Sequence, residues 1–373
     1  MIRGRFGDLG IPWMKNKIFG LLLTGTILLL GGCTGRPEQA GSDIQTVCVF
    51  LEHYENTIEK VIFDTGLEVA ESVQLENLKA GRVQLQLPDV ETVKAVFLDS
   101  LEEKKIKEKV EEKGGEGEPG YFHLLTEDFY NLSVGGSVVY NTPDAYYYRA
   151  ALHYDDRDNL PEEYVGKEDL DGMSANEALD AVREILQKIG ITTEGCLVSG
   201  FTLPHTLMEE KEVWEDHTGN ITSEYYKESW TREDDAYYYV MHQTWQGLPV
   251  YHKYVFPDNN DMNAPIRVLW SRRGLENLEV DYFFTFEAKE ETLQLKDFSQ
   301  IAAVVANKYN EILNEADYIV TDAILYQAVL QGEKQTDYFT VPAWLIYITE
   351  KTDEGEYTMT MLVDAVSGEE LIS

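Results

Sequence analysis

His242 and His252 bracket the stretch HQTWQGLPVYH, and two imidazoles ten residues apart could ligate a metal ion or hold a proton between them. If the chain turns near Gln246 and Gly247, the pair comes close across a hairpin. Two ligands fall short of the three or four that zinc sites take. The sequence therefore favours a place on the surface or in the core of a hairpin. His53, His123, His153, His205 and His217 form no HExxH pairing on one helical face. No GxSxG marks a nucleophile elbow, and no GxxxxGKS or GxxxxGKT offers a phosphate cradle. Cys196 has no sequence neighbour that would activate a thiol. No catalytic residue, cofactor or metal centre is expected.

Other residues carry binding potential. Asp258–Asn263 (DNNDMN) and Asp155–Asn159 (DDRDN) are rich in oxygen ligands, but both lack the glycine of a calcium loop and default to solvated turns. DAYYY occurs at 144–148 and again at 235–239. An exposed ladder of Tyr146, Tyr148, Tyr237 and Tyr239, joined by His242, Trp245 and His252, would suit a glycan, peptide or protein surface. Alternation along a strand puts Tyr147 and Tyr238 on the opposite face, so part of this set belongs to a core.

The elements that must position these groups read as α+β: capped helices packed on antiparallel sheets. Residues 43–165 form a first α+β region. In it VQLQL (83–87) and TVKAVFL (92–98) read as strands, and LEEKKIKEKVEEK (101–113) reads as a capped, mostly exposed helix. SVVYNTPDAYYYRAALHY (137–154) reads as a hairpin around Asn141–Asp144. A second region, 166–290, opens with a helix capped by Ser174 and closed by Gly190, with Ala178, Leu179, Val182, Ile185, Leu186 and Ile189 as its apolar stripe. Strands are expected at 197–207, 236–246, 249–256, 266–272 and 278–287. The third region, 291–373, repeats the scheme: a helix begun by Asp297 and Gln300, then strands at 318–330, 339–349 and 357–366.

The N-terminus is read separately. Lys15 and Lys17 precede the apolar run IFGLLLTGTILLL (18–30), shorter than the roughly 20 residues of a spanning helix. Met14 is a better start for such a signal than Met1. LGGC (30–33) resembles the lipobox of bacterial lipoproteins. The resemblance implies a signal peptide over 1–32, lipidation of Cys33 and membrane attachment through it, with 33–42 as tether. Cys48 and Cys196 then remain, either paired as a disulfide or each a buried thiol. The formal net charge of −36 becomes more negative once Arg3, Arg5, Lys15 and Lys17 leave with the signal. Such a chain is not expected to bind nucleic acid.

Two stretches resemble PepSY and related metalloprotease-propeptide modules. YYYVMHQTWQGLPVYHKYVF (237–256) is similar to their hairpin with its Gly-x-Pro-Val turn. VPAWLIYI (341–348) followed by MLVDAVSGEEL (361–371) is similar to their closing strands. The resemblance covers about 170–373 and implies two non-catalytic PepSY-like modules in a Gram-positive lipoprotein. It also implies action on a separate envelope peptidase or signalling protein. A ligand-binding lipoprotein for glycan, peptide or cation is the alternative, and a hydrolase with an unrecognised site is a further one.

Overall fold

A computed structural model describes residues 50–71, 73–101, 103–115, 120–152, 158, 160–166, 169–214, 219–252, 263–314, 316–332, 337–352 and 355–371. They belong to one unit spanning Cys48–Ser373. The first part of the chain supplies β1 (His53–Ile58), β2 (Val61–Glu68), β3 (Lys79–Leu85), α1 (Val90–Phe97), β4 (Ile106–Glu112), β5 (Tyr121–Thr126), β6 (Asn131–Val134), β7 (Val138–Asn141) and α2 (Ala145–Ala151). The middle supplies α3 (Ala175–Lys188), β8 (Leu197–Leu203), α4 (His205–Lys211), β9 (Ala236–His242), β10 (Thr244–Trp245), β11 (Leu248–Tyr251), β12 (Ile266–Ser271), β13 (Gly274–Val280) and β14 (Phe284–Thr292). The end supplies α5 (Phe298–Asn310), β15 (Asp317–Gln331), β16 (Tyr338–Thr352) and β17 (Gly355–Asp364).

These strands make two sheets. One runs β4-β5-β6-β7-β13-β12-β9-β8, antiparallel throughout. The other runs β1-β2-β15-β16-β3-β14, with β17 added beside β16 and β11 beside β15. Its pairings of β15 with β2 and with β11 are parallel, exceptions to the antiparallel expectation. The mixed α and β character holds, with strands dominating. The expected regional boundaries are not sheet boundaries. β1, β2 and β3 join the C-terminal strands, whereas β4 to β7 join the middle ones.

Each sheet carries a helix whose stripe was visible in sequence. Ser174 Oγ accepts from the N–H of Glu177, and α3 buries Ala178, Val182 and Leu186 against Tyr237, Tyr239 and Met241 of β9. Gly190, at φ 85, takes the left-handed position that ends it. Helix α5 buries Phe298, Ile301, Ala302, Val305, Ala306 and Tyr309 against Tyr318, Trp344 and Ile346. Each fully buried Val, Leu, Ile or Phe there stabilises the fold by about 1.5–3 kcal/mol. Strand β9 does not alternate, because both its faces are covered. Tyr238 and Val240 enter a second core with Tyr148, Tyr164 and Trp230.

Four local expectations are corrected. TVKAVFL is helical: Asp89 accepts from the N–H and hydroxyl of Thr92 at 2.8 and 2.6 Å, and Val93 and Phe97 turn inward one helical turn apart. The charged stretch expected as a helix is strand β4, an exposed edge, where Lys94 of α1 reaches Glu111 at 2.9 Å. The expected hairpin at 137–154 becomes β7 and then α2, and the strand expected over 197–207 gives way at Pro204 to α4. Among the described residues no helix is long and apolar enough to cross a membrane.

Candidate functional site

The stretch 242–252 carries the chain from one sheet to the other. β9 ends at His242, and Thr244 and Trp245 then pair with Pro249 and Leu248. Gln246 at φ 53 and Gly247 at φ 86 form the two-residue loop, the backbone that such a hairpin demands. Two glutamines fix it in place. Gln243 donates to the carbonyl of Phe284 and accepts from its N–H, both at 2.8 Å. Gln246 does the same to Lys79, accepting at 2.7 Å and donating at 2.9 Å. Trp245 stacks on Phe286 with centroids 5.6 Å apart. It also fills the space over Gly81, where a Cβ would stand 2.6 Å from Trp245 Cη2.

The expected interaction surface is dispersed by this arrangement. Tyr148, Tyr237, Tyr239 and His252 are interior residues. The hydroxyls of Tyr237 and Tyr239 donate to the carbonyls of Met173 and Ala175, at 2.7 and 2.6 Å, at the start of α3. Tyr148 lies across the sheet from them, on α2, and donates to the carbonyl of Asp234 at 2.6 Å. Tyr146, His242 and Trp245 are half-buried. The His252 ring lies 5.6 and 5.5 Å from Tyr282 and Phe284, and burial pushes its pKa down to about 4. Cys196 is half-buried, and burial pushes its thiol up to about 11, away from nucleophilic character. Cys33 and Cys48 lie outside the described residues, as do 155–157, 159 and 258–262 of the two oxygen-rich loops.

The densest chemistry sits where β9, β12 and β13 meet the loop before β9. Asp234 accepts from Lys227 Nζ at 2.9 Å, Arg273 at 2.8 Å and the N–H of Thr231 at 2.8 Å. Burial works to raise its pKa, but these donors outweigh burial and hold the carboxyl below its ordinary value. Glu276 accepts from Ser271 Oγ at 2.5 Å and Arg273 Nε at 3.0 Å. Glu212 joins two indoles, accepting from Trp214 at 2.7 Å and Trp230 at 2.8 Å. Asp235 accepts from the main-chain N–H of His205 at 3.0 Å and contacts His205 Nδ1 at 2.7 Å. An Asp–His pair of this kind can orient a general base. Here Arg272 also bonds Asp235, at 3.2 Å, and ties the pair into the ionic corner.

Two surface features remain. A groove of 490 Å³ runs between α1 and α3, lined by Ala95, Val96, Phe97, Tyr140, Ile185, Lys188 and Leu275. Phe97 and Tyr140 stack within its lining at 4.8 Å. The other feature is on the hairpin of β1 and β2. His53 Nε2 lies 3.1 Å from Asp64 Oδ1 and 3.4 Å from Glu55 Oε1. Sequence reading missed this trio. Its only signal was a His-x-Glu pair with an aspartate nine residues beyond the glutamate, and nothing in the sequence marked the turn between them.

No family model matches the chain, and no curated protein matches it. Among solved structures, an uncharacterized protein from Eubacterium rectale is similar, with a TM-score of 0.56 and 15% identity. The match covers 87% of this chain and 94% of that one, a likeness of fold. The YpeB C-terminal domain of Bacillus megaterium matches at a TM-score of 0.27 and 10% identity, over 76% of this chain and 96% of that domain.

Proposed function

We propose that the chain is an extracytoplasmic lipoprotein, held to the membrane through Cys33, that binds and regulates another envelope protein without doing chemistry itself. Its working parts are PepSY-like modules in which a capped helix lies on a sheet. The lipobox residues Leu30–Cys33 and the turn and strand residues of 237–256 and 341–371 support the address and the module type.

The observation that carries the reading is the use made of the most reactive-looking stretch. Gln243 and Gln246 bond the backbone of neighbouring strands, and His252 is buried among aromatic rings. A stretch built this way is a joint, and a rigid two-sheet frame suits the display of a binding surface. Photo-cross-linking from Val96 and Lys188, in cells carrying the anchored chain, tests the reading. A discrete protein adduct that disappears with Cys33→Ser supports it. Absence of any adduct, together with turnover by the soluble chain in a panel of hydrolase assays, overturns it.

A further inference from the structure

We propose that His53, Glu55 and Asp64 form a surface site for one divalent transition-metal ion of the zinc class. The three come from the paired strands of one hairpin. His53 and Glu55 are alternate residues of β1 and project from the same face, while Asp64 stands directly opposite Glu55 on β2. Their ligand atoms all lie within 4.8 Å of one another. Around a tetrahedral ion with bonds of about 2.0–2.1 Å, neighbouring ligands stand about 3.3 Å apart. The separations of 3.1 and 3.4 Å from His53 Nε2 already match that spacing.

The surroundings favour a divalent ion over a simple ion pair. Gly66 stands opposite His53, so no side chain intrudes between the imidazole and the next strand. Asp322 pairs with Gly66 from β15, and its Oδ1 would lie 3.5 Å from a Cβ built there, so its carboxylate shares the face. Glu68, two residues along β2 from Gly66, adds a carboxyl whose Oε2 is buried without a hydrogen-bond partner among the described residues. Burial first, and then the nearby Asp322 carboxylate, raises the pKa of Glu68. Glu55, Asp64, Asp322 and Glu68 bring four carboxyl groups to the one imidazole of His53. A divalent ion neutralises more than one of them. The imidazole sets this trio apart from an acidic patch and selects a borderline ion over calcium, which takes oxygen ligands.

Titration calorimetry of the mature chain with zinc chloride tests the proposal. Saturable binding at one ion per chain is expected, lost in His53→Ala and in Asp64→Asn and kept in Glu108→Gln on the distant β4. Nitrogen NMR of the unsubstituted chain provides a second readout that needs no variant, with the His53 Nε2 resonance moving on zinc addition. No saturable binding overturns the proposal. So does binding undiminished by the His53 and Asp64 substitutions, an unmoved His53 resonance, or calcium binding as tight as zinc.

Discussion

Replacing Gln243 by alanine leaves the N–H and C=O of Phe284 facing protein interior with no partner. Each buried group so orphaned costs about 1–3 kcal/mol, so Gln243→Ala is expected to lose at least about 2 kcal/mol. Urea unfolding should show a lower midpoint at an unchanged slope. His252 makes a separate prediction about pH. Its folded pKa is about 4 against an ordinary 6.5, so the unfolded chain takes up the proton first as pH falls. The stabilisation is complete above pH 6.5 and is lost as pH drops toward 4, with a limiting slope of about 1.4 kcal/mol per pH unit. His252→Gln should flatten stability measured between pH 7 and 4.5 relative to the parent, and an unchanged slope would show that the burial has been misjudged. The roles of these two residues were hidden in sequence for one reason. Gln243 and His252 act on Phe284, some thirty to forty residues away, and no local pattern reports such a partner.

At the scale of elements, the turn between β10 and β11 is the sharpest test. A side chain branched at Cβ is strained at φ 86, so Gly247→Val should cost about 1–2 kcal/mol, seen as a lower thermal midpoint. If the variant melts with the parent, the loop does not hold this backbone in solution. The helices α3 and α5 and the strands after them were legible because their stripes and caps are local. The pentapeptide DAYYY shows where legibility stops. At 144–148 it starts helix α2, and at 235–239 it enters strand β9, with the same residues in both. The surroundings choose, not tyrosine's strand preference: β8 and β12 pair with β9 on either side, while Tyr148 packs with Tyr164 and Trp230. The run 101–113 misled for the opposite reason: its lysines and glutamates favour helix, but they also suit an edge strand guarded by charge. The trio His53, Glu55 and Asp64 was equally unreadable until Glu59, at φ 56, supplied the turn that folds β1 onto β2.

At the scale of the whole molecule, the second sheet is assembled from both ends of the chain. A fragment of residues 291–373 would keep α5 and β15 to β17 but lose Val61, Phe63, Leu78 and Leu248 from the same core. It is expected to be unfolded by circular dichroism, whereas the mature chain unfolds in one transition. A cooperative transition from the fragment would restore the C-terminal region as an independent module. The placement of β2 also sets an order of assembly. Thr65 must wait for Val320, 255 residues later, before its hydroxyl finds that carbonyl. Through that interval the hairpin of β1 and β2 exists without the strand that will shelter it, and Val61 and Phe63 have no α5 to cover them. A chain built this way is expected to aggregate more readily before its last strands join than after.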